Sequence, residues 1–487
     1  MIFLYKLIKL GFLHPRTLLS LVKARKVHGQ NLSFLLKVSA DRFAKRIAIT
    51  DGYTHISFKE LYQKVLQLSF ILQEKVQPDK SGIALLLCKN EPAHVILLYA
   101  LQNIGLQTIL MHHKTSKQDL QKIQASQTSP CYIFASDMPQ EVEQKTWNIY
   151  ELLAFLIPHK TPFFVSKQFG NIVFPTSGTT GTPKLIEKKR GAFFGIFPFI
   201  DLIWRTQILK RKNAYLSIPI SHSLGYTTLL FAGILGKKLL LVENKTTEQV
   251  VQILLEEKID VLIGVPSSLH TIAIKLKDIP HQISLIISSG APLNSLIFDT
   301  IIQNVTKNIC SLYGSTEANT SFLADYDALL ENVCALGKPF KGIQYKLVLL
   351  ATGGFELCVR SPLINIKTHE GWVHSGDLVA EAKGKLIWCC RKDDMILKNG
   401  LNIYPTEIEH ELLRIKGISA VCVVGQQDLI KGQIICAYIV LKENTILTEA
   451  DIQFFLSSRL ASIKIPDKIY WLEKFDYTNT GKIIKPK

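Results

Sequence analysis

The sequence predicts an α/β protein: a large amino-terminal domain of several α/β layers, followed by a small α+β carboxy-terminal domain. Three observations predict it. The chain has 487 residues, 47% hydrophobic and 20% charged, enough to bury more than one core. Helix-like and strand-like segments alternate from Ile47 onward, the pattern of a largely parallel sheet with crossover helices. The pattern changes near Arg391, and the remaining stretch of about 95 residues has the size of a small domain. The expected divisions are residues 1–34, 35–391 and 392–487.

The first division, MIFLYKLIKLGFLHPRTLLSLVKARK and the residues just after it, has no acidic residue and carries Lys6, Lys9, Arg16, Lys23, Arg25 and Lys26. Its apolar runs are too short for a spanning helix of about 20 apolar residues. Lys6 and Lys9 interrupt what would be the apolar core of a signal peptide. Two readings stay open. The segment is a basic amphipathic element lying on an anionic membrane face, or a surface helix pair, broken at Pro15, that packs on the body.

In the second division, Phe58, Leu61, Val65, Leu68 and Ile71 recur at helical spacing and predict a helix over 58–74. Short apolar runs predict strands at 82–88, 108–111, 259–265 and 284–288, with helices at 95–102 and 247–258 between them. In the third, Pro405 marks a helix start, with Ile408, Leu412 and Leu413 on one face. Strands are expected at 420–424, 434–441 and 468–472, and a helix at 450–460. The polar run Arg391-Lys392-Asp393-Asp394 marks the junction.

Composition narrows the chemistry. Lys+Arg number 57 against 40 Asp+Glu, a formal charge of +17, which suits phosphorylated small molecules, anionic membrane or nucleic acid. No nucleic-acid motif is present, so nucleic acid is not expected as a partner. The nine cysteines are scattered without a CxxC pair, which argues against a disulfide scaffold or a structural zinc cluster and for reduced thiols in a cytosol.

The densest motif is Phe174-Pro-Thr-Ser-Gly-Thr-Thr-Gly-Thr-Pro-Lys184. Gly178 and Gly181 let backbone N–H groups approach an anion, Thr176, Ser177, Thr179 and Thr180 add hydroxyl donors, and Lys184 adds charge. This is chemistry for a polyphosphate. The spacing is not that of a Walker A loop, and no Ser or Thr follows Lys184.

TSGTTGTPK resembles the signature loop of the adenylate-forming (AMP-binding) superfamily, which includes acyl-CoA synthetases, luciferases and peptide-synthetase adenylation domains. Further motifs follow in the family's order, so the resemblance covers residues 35–487. It implies a large amino-terminal domain and a small mobile carboxy-terminal domain of adenylate-forming type. By the same resemblance His222, in Pro219-Ile-Ser-His-Ser-Leu-Gly225, borders the acyl pocket. Gly290 and Ala291 line the substrate and adenine sites. In Tyr313-Gly314-Ser-Thr316-Glu317 the aromatic stacks on adenine, Thr316 touches phosphate and Glu317 holds magnesium. Asp377 binds both ribose hydroxyls, where a carboxylate offers acceptors only, and Arg391 contacts the ribose. Asp393 is the hinge. Leu397 stands where many relatives have a lysine, and Lys398 is one residue off. Lys482, in Thr478-Asn-Thr-Gly-Lys482, is the catalytic lysine; the chain stops five residues later, which predicts a loosely anchored loop.

The expected activity is an ATP- and Mg²⁺-dependent ligase that makes an acyl-adenylate and then a thioester with coenzyme A. The uncharged residues after His222 (Gly225, Tyr226, Leu229, Phe231 and Ala232) and the basic amino terminus point to a fatty acid. The alternatives are an aryl acid as substrate, or an acyl carrier protein as acceptor. The expected location is cytoplasmic, at the inner membrane face if the amino terminus binds lipid.

Overall fold

A computed structural model describes residues 14–29, 31–137, 146–156, 165, 170–176, 184–188, 196–361, 369–478 and 483–486. It resolves into two compact units, Met1–Ile263 with Pro280–Leu285, and Gly264–Ile279 with Ile286–Lys487.

In the first unit the helix Pro15–His28 starts at the proline, whose missing N–H is no loss in a first turn. It packs inward through Thr17, Ser20, Ala24 and His28. Ser20 Oγ donates to Asp41 at 2.7 Å, and His28 Nε2 meets Tyr62 Oη at 2.8 Å. Its larger apolar residues, Leu18, Leu19 and Val22, point outward, as do Lys23, Arg25 and Lys26. The junction expected at 34/35 falls inside the next helix, Leu32–Arg42, capped by Asn31. That boundary is therefore not a break in the chain's local structure.

The helix Phe58–Ile71 is fixed by a capping box, with Ser57 accepting from the Glu60 N–H and Glu60 accepting from the Ser57 N–H. Its expected last turn is present but winds as a π-turn, Leu72–Val76. Among the described residues a six-stranded sheet runs in the order Thr146–Asn148, Cys131–Ala135, Ile83–Cys88, Gln107–His112, Ile172–Thr176, Lys184–Lys188. All its pairs are parallel except the last, which is antiparallel. The crossover helix Pro92–Asn103 is buried along its whole length, as expected where helices cover a parallel sheet. Leu85, Ile109, Ile133 and Val173 form the core against one face. A second set of strands orders as Val261–Gly264, Asn213–Leu216, Lys238–Leu240, Ile47–Thr50, His55–Ser57. The helix Thr247–Glu256 feeds Val261–Gly264 and ends two residues short of the expected 258, where Lys258 takes a left-handed φ of 52°.

In the second unit, strands Leu285–Ser289, Ile309–Ser315, Asn319–Ala324 and Lys338–Pro339 are neighbours in that order. An antiparallel sheet follows: Gln344–Leu349, Phe355–Arg360, Val373–Ala382, Lys385–Arg391. The chain then leaves it through a single short turn, Lys392–Asp394. Beyond the turn, Leu401–Ile403, Ile396–Lys398, Gly432–Leu441 and Ile418–Asp428 form another sheet, with Lys468–Leu472 parallel to Gly432–Leu441. The helices Pro405–Leu413 and Glu449–Ser457 close its core with Ile408, Leu412, Ile452 and Leu456 against Val421, Val423, Ile435 and Ile439. The strand expected at 420–424 is longer, because the polar run Gln426-Gln427-Asp428 continues the hairpin past the core.

Candidate active site

The second unit holds half of the residues assigned to nucleotide binding: Gly290, Ala291, Tyr313, Gly314, Thr316, Asp377 and Arg391. Leu285–Ser289 and Ile309–Ser315 are parallel, with Ser289 opposite Leu312. Their carboxyl ends therefore deliver Gly290-Ala291 and Tyr313-Gly314 side by side, where ligands of open α/β sheets bind. Ser289 Oγ ties the two strands by donating to the Leu312 carbonyl at 2.8 Å. Position 314 admits only glycine, since a Cβ there would lie 2.3 Å from the Asn319 carbonyl oxygen. Thr316 and Glu317 sit in the turn that follows.

Asp377 is the centre of this cluster and is only 6% exposed. It accepts from Tyr313 Oη at 2.6 Å and from Trp388 Nε1 at 3.1 Å, and Arg391 Nη1 lies 3.6 Å from it. Arg391 reaches it because the hairpin register places the two residues opposite each other. Burial and then the Asp377 charge push the Tyr313 phenol far above its ordinary pKa, so it stays a donor. Behind Asp377, Ser375 Oγ donates to the Leu357 carbonyl at 2.7 Å and accepts the Asp377 N–H at 3.0 Å. Glu356 accepts the Gly376 N–H at 3.1 Å and contacts His374 Nδ1 at 3.2 Å. Trp388 and Glu356 were not singled out from sequence; the only sign of Trp388 was its lying three residues before Arg391.

The first unit holds the other group. Thr176 and Lys184 are cross-strand partners at the mouth of the hairpin that carries the glycine- and threonine-rich loop. Ser177, Gly178, Thr179, Thr180 and Gly181 lie outside the described residues. His222 is the N-cap of the helix Ser223–Leu235, its N–H bonded to the Pro219 carbonyl at 2.9 Å. Gly225 is required there, because a Cβ would sit 2.1 Å from the Pro219 oxygen. Lys188, which sequence reasoning passed over, donates to Ser223 Oγ at 2.8 Å and to Thr227 Oγ1 at 3.4 Å on the first turns of that helix. Burial brings its pKa down to about 7. Nothing in the strand Lys184–Lys188, which reads KLIEK, set it apart from the other charged residues there.

In the carboxy-terminal sheet, neighbouring residues of a strand face opposite sides. Leu397 is exposed, whereas Lys398 is buried with Nζ 2.7 Å from Asp467 Oδ2. Lys398 therefore does not share the exposed face of position 397, where the resemblance implies a lysine in many relatives. Asp393 lies exposed in the turn Lys392–Asp394. Lys482 is outside the described residues, but its flanks are held. Tyr477 bridges Ile483, the Ile484 N–H bonds the Asp476 carbonyl at 2.8 Å, and Lys485 pairs with Asp394. The loosely anchored loop expected from the short tail is corrected to this extent: both its ends are tied.

This chain belongs to the AMP-binding enzyme family, whose model matches residues 36–365; the model of the AMP-binding enzyme C-terminal domain matches 407–482. Among its relatives, the 2-succinylbenzoate–CoA ligase of Listeria monocytogenes serotype 4b (strain F2365) is 27% identical over 460 residues, covering 88% of this chain and 93% of that one. The enzyme of that name from Bacillus cereus (strain Q1) is 24% identical over 475 residues, covering 90% and 94%. The fold is that of o-succinylbenzoate CoA synthetase from Bacillus subtilis, solved with its acyl-adenylate intermediate, at a TM-score of 0.80 and 21% identity over 92% of this chain and 96% of that one. The amide bond synthetase McbA from Marinactinospora thermotolerans matches at a TM-score of 0.75 and 18% identity, covering 92% and 97%.

Proposed function

We propose that this enzyme is an ATP-dependent ligase that activates an aryl carboxylic acid as its acyl-adenylate and passes the acyl group to coenzyme A. The geometric observation that carries the nucleotide half is the buried Asp377 held by Tyr313, Trp388 and Arg391. The hydrogen bonds from Tyr313 and Trp388 take two of a carboxylate's about four lone-pair positions, and Arg391 at 3.6 Å is an ionic contact, so two acceptors remain for the ribose hydroxyls. Tyr313 supplies a flat face for adenine. Glu317, a single carboxylate in an open turn, fits Mg²⁺, which keeps several waters and shares its remaining contacts with substrate phosphates. The bound ion would offset phosphate charge while Lys184 and the Thr176–Gly181 loop hold the β- and γ-phosphates.

The acid is read from the relatives, which are named for 2-succinylbenzoate, an aryl acid with a second carboxylate. This supports an aryl substrate over the fatty acid suggested by the uncharged residues after His222 and the basic amino terminus. Lys188 gives the reading a residue. An amine titrating near neutrality beside the first turn after His222 suits the carboxylate that is not activated. Lys188→Met should raise KM for 2-succinylbenzoate by about tenfold or more, the worth of one charge-assisted hydrogen bond, and leave KM for a simple benzoate unchanged. The sign with pH follows. Lys188 loses its charge above about 7, so the wild-type KM for the dicarboxylate should climb from pH 6 to pH 8 and the variant's should not. Equal effects on both acids would refute this role.

The deciding experiment is ATP–pyrophosphate exchange with 2-succinylbenzoate, benzoates and fatty acids of graded length. Exchange driven only by fatty acids would restore the fatty-acid reading. Offering coenzyme A and an acyl carrier protein side by side identifies the acceptor. The hinge role of Asp393 and the division at 391/392 belong to the same proposal, as does the cytoplasmic location. Among the described residues no helix is long and apolar enough to cross a membrane. The outward Leu18, Leu19 and Val22 beside Lys23, Arg25 and Lys26 nevertheless suit an anionic lipid face. Co-sedimentation with phosphatidylglycerol vesicles should fall several-fold in the L18Q/V22Q variant. Sedimentation equal to that with phosphatidylcholine vesicles would remove the membrane contact.

A further inference from the structure

Outside the adenylate machinery, the first unit gathers two imidazoles and a carboxylate with no assigned role. His112 ends the strand Gln107–His112, His113 opens the turn after it, and Glu243 follows the strand Lys238–Leu240. Glu243 Oε1 lies 3.5 Å from His112 Nε2 and 3.4 Å from His113 Nδ1. The three ligand atoms all fall within 4.8 Å of one another. Bonds of about 2.0–2.1 Å to a tetrahedral metal put neighbouring ligand atoms about 3.4 Å apart, close to both measured edges.

Two further observations point to a ligand. The His113 side chain is only 8% exposed, and its buried Nδ1 has no hydrogen-bond partner among the described residues. That nitrogen lies 3.4 Å from the carboxylate without the alignment of a hydrogen bond, and leaving a buried polar atom unsatisfied is costly. The carboxylate is also oriented from behind. The Asn90 N–H donates to Glu243 Oε2, and Asn90 is itself fixed by donating its side-chain amide to the Leu216 carbonyl at 3.2 Å. An outer-shell donor of this kind sets the direction of a ligating carboxylate.

We propose that His112 Nε2, His113 Nδ1 and Glu243 Oε1 form a site for a divalent transition metal of the zinc type, with a fourth position for water. Two imidazoles and one carboxylate are a zinc donor set and a poor one for magnesium or calcium. Binding would join the end of the six-stranded sheet's Gln107–His112 to the end of Lys238–Leu240, and so stabilise the first unit. Two features limit the affinity. Lys89 and Lys114 stand close enough to act on His113. His112 Nδ1 also accepts the Lys114 N–H at 3.2 Å, and ligation through Nε2 shifts the ring proton to Nδ1 and opens that contact.

The test uses the full chain, stripped with chelator and kept free of nucleotide and magnesium. Titration with Co²⁺ should give visible d–d bands that saturate at one equivalent, without a near-ultraviolet thiolate charge-transfer band. Zn²⁺ should abolish the bands and raise the melting temperature. Glu243→Gln and His113→Gln, each keeping its far-ultraviolet circular dichroism, should lose the bands; if one fails to fold, the other decides. Bands that persist in the folded variants, a thiolate band, or a wild-type chain that gives no bands would overturn the proposal and leave an ordinary His–Glu ion pair.

Discussion

Lys482→Ala should lower acid-dependent ATP–pyrophosphate exchange by about a hundredfold or more, the usual cost of removing one group that stabilises charge developing in a transition state. The reason lies in the reaction. A carboxylate must approach the α-phosphate of ATP, and both are anions. A fixed ammonium between the acyl oxygen and the phosphate offsets that repulsion, whereas water screens it poorly once the site is closed. Thioester formation from added acyl-adenylate should keep most of its rate if, as the proposed hinge at Asp393 implies, the carboxy-terminal lid is exchanged between the two steps, carrying the lysine's loop away before the thiol attacks the activated carbon. The anchoring of the loop makes this a test of the side chain alone. Tyr477–Ile483, Ile484–Asp476 and Lys485–Asp394 hold its two ends, and Ile483 packs against the apolar cluster that includes Tyr438 and Phe475. Alanine at 482 removes none of these contacts. Single-turnover rates for the two half-reactions, measured separately, decide the matter. Equal losses in both would mean that Lys482 serves the fold or both steps, and the lid-exchange mechanism would fall.

Much of this arrangement was legible in the sequence, and the residues show why. Helices announced by apolar spacing or a leading proline were readable, such as Phe58–Ile71 from Phe58, Leu61, Val65, Leu68 and Ile71, and Pro405–Leu413 with proline in the first turn. Motif residues on one strand end were equally readable, because Tyr313 and Gly314 are adjacent in sequence. The cage around Asp377 was not. It depends on the hairpin Val373–Ala382/Lys385–Arg391, whose register shifts by one residue between Leu378 and Val379. Without that bulge Cys390, not Arg391, would stand opposite Asp377. A bulge re-aims side chains without altering the alternation of apolar residues enough to announce itself. The His112–His113–Glu243 group was hidden for a different reason. Its members lie at or just past the ends of strands more than a hundred residues apart, and only the packing of the two strand sets brings them together. The choice of acid was illegible because the uncharged residues after His222 suit fatty and aryl acids alike. Lys188, proposed above to meet the second carboxylate, gave no sign of that role, because it ends a short strand of mixed charged and apolar residues.

Asp377→Ala should cost the enzyme roughly a hundredfold or more in ATP affinity and also destabilise the second unit. The two losses have separate causes. Each ribose hydroxyl donating to a charged carboxylate is worth about 1.5–3 kcal/mol, so losing two such bonds amounts to at least about 3 kcal/mol, or roughly a hundredfold in binding. The stability loss comes from inside the protein. Tyr313 Oη and Trp388 Nε1 would both be left without their acceptor; a fully buried unsatisfied donor costs about 1–3 kcal/mol, and these part-buried donors cost less. Arg391 would lose its partner, though its side chain is 53% exposed and water can replace much of that contact. Asp377→Asn separates the causes. The amide keeps one acceptor oxygen, so Tyr313 or Trp388 stays satisfied and the melting temperature recovers in part. The negative charge is gone, and one of the two acceptor positions facing the ribose becomes a donor, so ATP binding stays weak. Isothermal titration with ATP and thermal melting of the same three proteins give the comparison. A 2′-deoxy nucleotide that loses affinity for the wild type but not for the alanine variant would tie the effect to the ribose. Full ATP affinity in Asp377→Ala would mean that Tyr313, Asp377 and Arg391 are a structural ion-pair network, and the nucleotide would have to be sought elsewhere.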